Sequence, residues 1–180
     1  MTPADLDALA ERARSIEWIL LDVDGVFTDG RLIYGADGEQ WKLFDVRDGL
    51  GVKLAQRAGL KVGILSGRVS AALERRAQGL ELDALMMDRS DKADAFAEFL
   101  SAQGTAAERV AYMGDDLIDL PVLRRCGLAF APADAVAEVR ERVHRVLESK
   151  GGRGAVREMC ELILRARGEW DGLVAHYLET

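Results

Sequence analysis

Short, wholly apolar runs recur along the chain, each followed by a stretch in which apolar residues return every three or four positions. "EWILLDV", residues 17–23, is the first of these runs. It shows no polar alternation, so it predicts a strand covered on both faces. "LKVGILSGR" (60–68), "LDALMM" (82–87), "RVAYMGDD" (109–116) and "LAFA" (128–131) have the same character, and "RVLES" (145–149) is one more candidate strand. The intervening segments predict helices. The first is opened by a Thr2 cap and Pro3. "DGLGVKLAQRAG" ends on Gly59 and "DKADAFAEFLSAQG" on Gly104, glycine being the usual residue past a helix end. "VSAALERRAQG", "DLPVLRRCG", "DAVAEVRERV" and the part of "KGGRGAVREMCELILRARG" beyond its glycines complete the set. Alternating strands and helices predict an α/β, Rossmann-like parallel sheet with helices on both faces. One segment breaks the alternation: in "RLIYGADGEQWKLF", residues 31–44, two apolar arms flank Ala36-Asp37-Gly38, which predicts a protruding β-hairpin.

The 180 residues, 49% of them hydrophobic, fit a single domain spanning 1–180 with a substantial core. A net charge of −7 argues against nucleic acid as a partner. No apolar run approaches the roughly 18 residues of a membrane span. The first residues lack a basic segment followed by an apolar one, so the expected location is cytoplasmic. Cys126 and Cys160 have no metal-like spacing and read as reduced, buried thiols. Trp18, Trp41 and Trp170 read as packing residues, and Arg75-Arg76 and Arg124-Arg125 as solvated helix faces.

Ligands of parallel α/β sheets bind at the C-terminal strand ends. Three strand ends here are chemically unusual: Asp22 and Asp24, then Ser66-Gly67, then Gly114-Asp115-Asp116 with Asp119 just beyond. So many carboxylates at one edge repel one another, and a divalent cation relieves the conflict. Ligands that are all oxygen, with no His or Cys nearby, point to a hard ion, most simply Mg²⁺. Magnesium binds through one or two carboxylates and commonly a substrate phosphate. Ser66 and the amides around Gly67 can donate to phosphate oxygens, and Lys92 at the start of a helix adds positive charge. Asp116 and Asp119 are equally read as caps of the next helix, and Thr28 equally as a turn residue or a ligand contact.

"DVDGVFT", "LSGR", "DKADAF" and "GDDLIDLP", in that order, resemble the motifs of the haloacid dehalogenase superfamily of phosphatases. The resemblance implies that Asp22 is the nucleophile, forming an aspartyl-phosphate, and that Asp24 is the acid and base. It implies that Ser66 and Lys92 hold the phosphoryl group. Mg²⁺ would lie on Asp22, on the backbone carbonyl of Asp24 and on Asp115, with Asp116 or Asp119 supporting the metal shell or Lys92. Only 43 residues separate Asp22 from Ser66, and 25 separate Ser66 from Lys92. Neither interval holds a cap domain, so either a macromolecular substrate or neighbouring subunits must cover the site.

"DVDGVFTDGRLIY", "FDVRDGLGVKL", "GDDLIDLPVL" and "KGGRGAVREMCELIL" resemble, more narrowly, the capless 3-deoxy-D-manno-octulosonate 8-phosphate phosphatase family. The resemblance implies a phosphorylated sugar-acid substrate on the route to lipopolysaccharide. It also implies a homotetramer whose hairpins form a central barrel and shield neighbouring sites, the alternative being a hairpin folded back on its own domain, and a C-terminal tail that either reaches an adjacent site or ends as a short helix. Arg68 matches a rim position that contacts substrate, and Asp48 matches a substrate-side motif at the hairpin's base. "MMDRSDK" departs from the family, which has a glycine-containing turn before the lysine. Nine-carbon sugar-acid phosphates are the alternative substrates, and a non-catalytic assembly module is the alternative class.

Overall fold

The computed structural model describes residues 3–36 and 38–179, so the Thr2 cap and the Asp37 turn position lie outside the described residues. Among the described residues, eight α-helices and eight strands alternate much as the pattern predicts. In order they are α1 Pro3–Ser15, β1 Trp18–Leu21, β2 Ile33–Gly35, β3 Gly38–Trp41, α2 Val46–Arg57, β4 Lys61–Leu65, α3 Ala71–Leu80 and β5 Ala84–Met86. There follow α4 Lys92–Gln103, β6 Val110–Met113, α5 Leu120–Leu123, β7 Leu128–Ala131, α6 Ala137–Arg140, β8 Arg145–Val146, α7 Ala155–Ala166 and α8 Trp170–Glu179. Six strands form one sheet in the order β5-β4-β1-β6-β7-β8, and every pairing in it is parallel.

The apolar character of β1 follows from its central place. Ile19 and Leu21 pack into one core with residues of α1, α2, α3 and α7, while Trp18 and Leu20 face a second core with α4, α5 and α6. Each fully buried side chain of this size contributes roughly 1.5–3 kcal/mol, so a polar residue on either side of β1 would cost a large part of the fold's net stability. Trp18 meets Phe99 edge to face at 4.9 Å. Trp170 is buried against α7, with the guanidinium groups of Arg157 and Arg165 over its ring.

Several expectations are corrected. The segments 119–127 and 134–143 form only one helical turn each, at α5 and α6. Of the two readings of the tail beyond residue 168, docking on a neighbour or ending as a short helix, the structure shows the helix, α8, with Arg57 of α2 donating to the Tyr177 hydroxyl at 2.8 Å. Arg76 does not lie on a solvated face; its guanidinium sits over both Phe27 and Phe44, and its Nη2 reaches the Asp45 carbonyl. The turn before Lys92 needs no glycine, because Asp88 itself adopts φ +58°, a left-handed conformation that aspartate tolerates.

β2 and β3 pair antiparallel as a separate two-stranded sheet, the expected hairpin, but Leu43 and Phe44 lie past its strands. Ile33, Tyr34, Trp41 and Leu43 are all exposed, so Trp41 is not a packing residue of its own core. Among the described residues, no helix is long and apolar enough to cross a membrane.

Candidate active site

The ends of three adjacent strands, β4, β1 and β6, carry the predicted residues. The ladder of β1 runs one residue further, since the Asp22 amide donates to the Met113 carbonyl at 3.0 Å, and this aims the buried Asp22 carboxylate over the sheet edge. The turn after it needs Gly25, which has φ +90° and whose added Cβ would stand 2.0 Å from Asp115 Oδ2. Gly114 is required as well, because a Cβ there would meet Asp119 at 2.4 Å. The two glycines let Asp22, Asp115 and Asp119 approach, and one carboxylate oxygen from each lies within 4.8 Å of the others.

Lys92 joins this cluster from the first turn of α4. Asp91 caps that helix by accepting from the amides of Ala93 and Asp94. A lysine at a helix N-terminus opposes the helix dipole, so its place there has to be supported by anions. Its Nζ lies 2.8 Å from Asp22 Oδ1 and 2.5 Å from Asp119 Oδ1, and the side chain is fully buried. Burial alone would lower the Lys92 pKa, but the charges of Asp22 and Asp119 outweigh it and raise it, so the ammonium stays protonated.

Asp119 is saturated. Oδ1 accepts from Lys92 and from the Tyr112 hydroxyl at 2.6 Å, and Oδ2 accepts from the amides of Asp115 and Asp116 at 2.9 and 3.2 Å. Four donors fill a carboxylate's lone pairs, which makes Asp119 the support of Lys92. Asp116 is exposed and caps the following turn by accepting from the Leu117 amide, so the supporting role falls to Asp119.

One ammonium cannot balance three carboxylates. Burial, then the Asp119 charge, raise the Asp22 pKa to about 7 despite Lys92. Burial, then the charges of Asp22 and Asp119, raise Asp115 to about 8. A site that holds its acids at such values when metal-free fits a hard divalent cation, with Asp22 and Asp115 as the side-chain ligands.

Asp24 lies outside the carboxylate cluster. Its Oδ1 is 2.5 Å from Lys42 Nζ and its Oδ2 is 3.7 Å from Arg68 Nε, so its carboxylate faces these cations. Ser66 is buried at the end of β4, and its Oγ accepts from the Arg68 amide at 3.2 Å, closing the Ser66-Gly67-Arg68 turn. Arg68 reaches outward, and its Nη2 donates to the Tyr34 hydroxyl at 2.5 Å.

Two residues considered for ligand contact bond to the backbone in this structure. Thr28 is buried; its hydroxyl donates to the Val23 carbonyl and accepts from the Gly30 amide, so it staples the loop that follows β1. Asp48 is fully buried, and its oxygens accept from the amides of Gly154 and Arg157 at 3.2 and 2.8 Å. It therefore anchors the start of α7 and the glycine loop before it. That loop lies against the turn after β1: the Gly152 amide donates to the Val26 carbonyl at 2.9 Å, and a Cβ at Gly151 would stand 1.8 Å from the Gly25 carbonyl.

Lys42 and Tyr112 were missed from the sequence. Tyr112 had a legible signal, since a tyrosine within a buried strand needs a partner for its hydroxyl. Lys42 had a weaker one, a lone charge between two apolar residues of a hairpin arm.

Oxygen-only carboxylates, a buried lysine and a serine turn at the C-terminal edge of a parallel sheet define a haloacid dehalogenase-like hydrolase, and the model of that family matches residues 82–159. The 3-deoxy-D-manno-octulosonate 8-phosphate phosphatase of Haemophilus influenzae is 43% identical over 161 residues, covering 89% of this chain and 89% of its own. The crystal structure of the Yersinia pestis enzyme of the same name superposes with a TM-score of 0.89 at 43% identity, covering 92% of this chain and 90% of that one. The Moraxella catarrhalis enzyme, solved with a magnesium ion, a phosphate ion and a KDO molecule, gives 0.92 at 34% identity, covering 95% and 98%. The chain belongs to the 3-deoxy-D-manno-octulosonate 8-phosphate phosphatase family.

Proposed function

We propose that this protein is a Mg²⁺-dependent phosphatase that removes phosphate from 3-deoxy-D-manno-octulosonate 8-phosphate in lipopolysaccharide sugar synthesis. The observation that carries the reading is the buried Lys92 ammonium bridging Asp22 and Asp119 beside Asp115. A carboxylate can attack a phosphate dianion only where positive charge offsets the repulsion. The substrate assignment draws on the relatives, one of which was solved with the sugar acid.

The side chains of Asp22 and Asp115 and the Asp24 carbonyl would hold Mg²⁺. When bound, the ion neutralises these carboxylates and the phosphate oxygens together. Asp22 attacks phosphorus and the bond from phosphorus to the sugar oxygen breaks, while Asp24 gives its proton to that oxygen. Water then attacks the phosphorus of the aspartyl-phosphate, Asp24 takes the water's proton, and inorganic phosphate leaves with Asp22 regenerated. Lys92 and the Ser66-Gly67 turn hold the transferring group, Asp119 and Tyr112 hold Lys92, and Arg68 faces the substrate from the rim.

In this reading residues 1–180 form one cytoplasmic catalytic domain. The exposed apolar hairpin supports a homotetramer: Ile33, Tyr34, Trp41 and Leu43 present more apolar surface than a lone hairpin keeps in water. Phosphate release from eight- and nine-carbon sugar-acid phosphates, with Mg²⁺ and with chelator, tests the assignment. Release from the eight-carbon substrate only with Mg²⁺ supports it. Preference for the nine-carbon acid overturns the substrate, and no release from any substrate overturns the enzyme.

A further inference from the structure

We infer that Lys42, on the return arm of the hairpin, is a positioning residue that fixes the proton-carrying carboxylate of Asp24; this deepens the phosphatase reading and rests on it. The hairpin arm inverts the usual partition of residues. Trp41 and Leu43 are 64% and 68% exposed, while the Lys42 side chain between them is 1% exposed. Burying an ammonium costs several kcal/mol unless an anion receives it, and an apolar residue would serve folding at least as well. Asp24 is an anion that receives it, at 2.5 Å from Nζ to Oδ1.

The outgoing arm acts on the same group. The Tyr34 hydroxyl accepts from Arg68 Nη2 at 2.5 Å, and Arg68 Nε lies 3.7 Å from Asp24 Oδ2. Both arms thus converge on one carboxylate, Lys42 directly and Tyr34 through Arg68. Proton transfer needs donor and acceptor about 2.6–3.2 Å apart. A carboxylate held through Oδ1 keeps Oδ2 at a fixed place for the leaving oxygen, whereas one held only by the longer contact to Arg68 has more freedom to rotate out of reach. The hairpin is then part of its own subunit's catalytic apparatus, in addition to any cover it gives a neighbour.

A sugar alkoxide is a poor leaving group that must be protonated as it departs, and p-nitrophenolate is not. The test compares kcat/KM, which reports only steps through leaving-group departure, for both phosphate esters with Mg²⁺. It uses the wild type, Lys42→Met, Lys42→Gln and Asp24→Asn. Lys42→Met is expected to lose about 10–100-fold on the sugar phosphate and less than about threefold on p-nitrophenyl phosphate, with Lys42→Gln between it and the wild type. Equal losses on both esters, or wild-type values on both, overturn the inference. Lys42→Gln retains a donor near the lysine's length, so it supplies the same comparison if the methionine variant does not fold. A wild type inactive on both esters overturns the phosphatase reading and the inference with it. Lys42 variants that match an active wild type, while Asp24→Asn is impaired on the sugar phosphate, overturn the inference alone.

Discussion

Removing divalent cations from this protein should make its stability fall as pH rises. Without metal, Asp22, Asp115 and Asp119 share the single Lys92 ammonium. Burial, then the neighbouring carboxylates, carry Asp22 from 3.8 to about 7 and Asp115 from 3.8 to about 8. Unfolded, both titrate near the ordinary aspartate value, so between about pH 4 and pH 8 the folded state holds protons that the unfolded state has released. The unfolded state then binds fewer protons, and stability declines with pH across that window and levels off below it. For Asp22 alone the difference amounts to about 4 kcal/mol. The contributions of the two acids do not add, because each raises the other. At about 2–4 °C per kcal/mol for a chain of this size, Tm in chelator should drop on the order of 10 °C between about pH 5 and pH 9. Saturating Mg²⁺ should remove most of that drop. Asp115→Asn in chelator should show a shallower slope and, at the alkaline end, a higher Tm than the wild type. Differential scanning fluorimetry across pH reads all three. A flat or rising wild-type Tm in chelator, or a wild-type slope in Asp115→Asn, refutes the reasoning.

Gly25→Ala should retain the far-UV circular dichroism spectrum and lose about 100-fold or more in kcat, because the added Cβ would stand 2.0 Å from Asp115 Oδ2 and displace a ligand. Tyr112→Phe should lower stability by about 1–2 kcal/mol in urea titrations, since Asp119 loses a buried donor. Asp48→Ala should cost about 2–4 kcal/mol by leaving the amides of Gly154 and Arg157 without their acceptor; a raised KM with unchanged stability would instead return Asp48 to the substrate. Trp41→Glu should lower the mass seen by sedimentation, and an unchanged mass would remove the hairpin from the assembly.

The sheet was legible because both of its faces are covered. Runs such as "WILL" leave no polar face, and the alternation of their side chains between two cores follows from the strand period of two. Asp22, Asp115 and Lys92 were legible because carboxylates and a lysine are out of place where strands end and a helix begins. Helix lengths were less legible at α5 and α6, which span only Leu120–Leu123 and Ala137–Arg140. The backbone partners of Thr28 and Asp48 are not legible in the motifs that contain them, since those of Asp48 are amides more than a hundred residues away. The enclosure of Arg76 by two aromatics from distant segments is a contact no local pattern contains.

The central claim is that Asp22 takes the phosphoryl group. Rapid acid quench of Asp24→Asn during turnover of p-nitrophenyl phosphate with Mg²⁺, followed by peptide mass mapping, tests it directly. The variant forms the aspartyl-phosphate without needing a proton donor and lacks the base that hydrolyses it. The account predicts a phosphorylated Asp22, absent when Asp22→Asn is added to the same background. Phosphate on another residue, or turnover with no phosphorylated residue at any quench time, would contradict it.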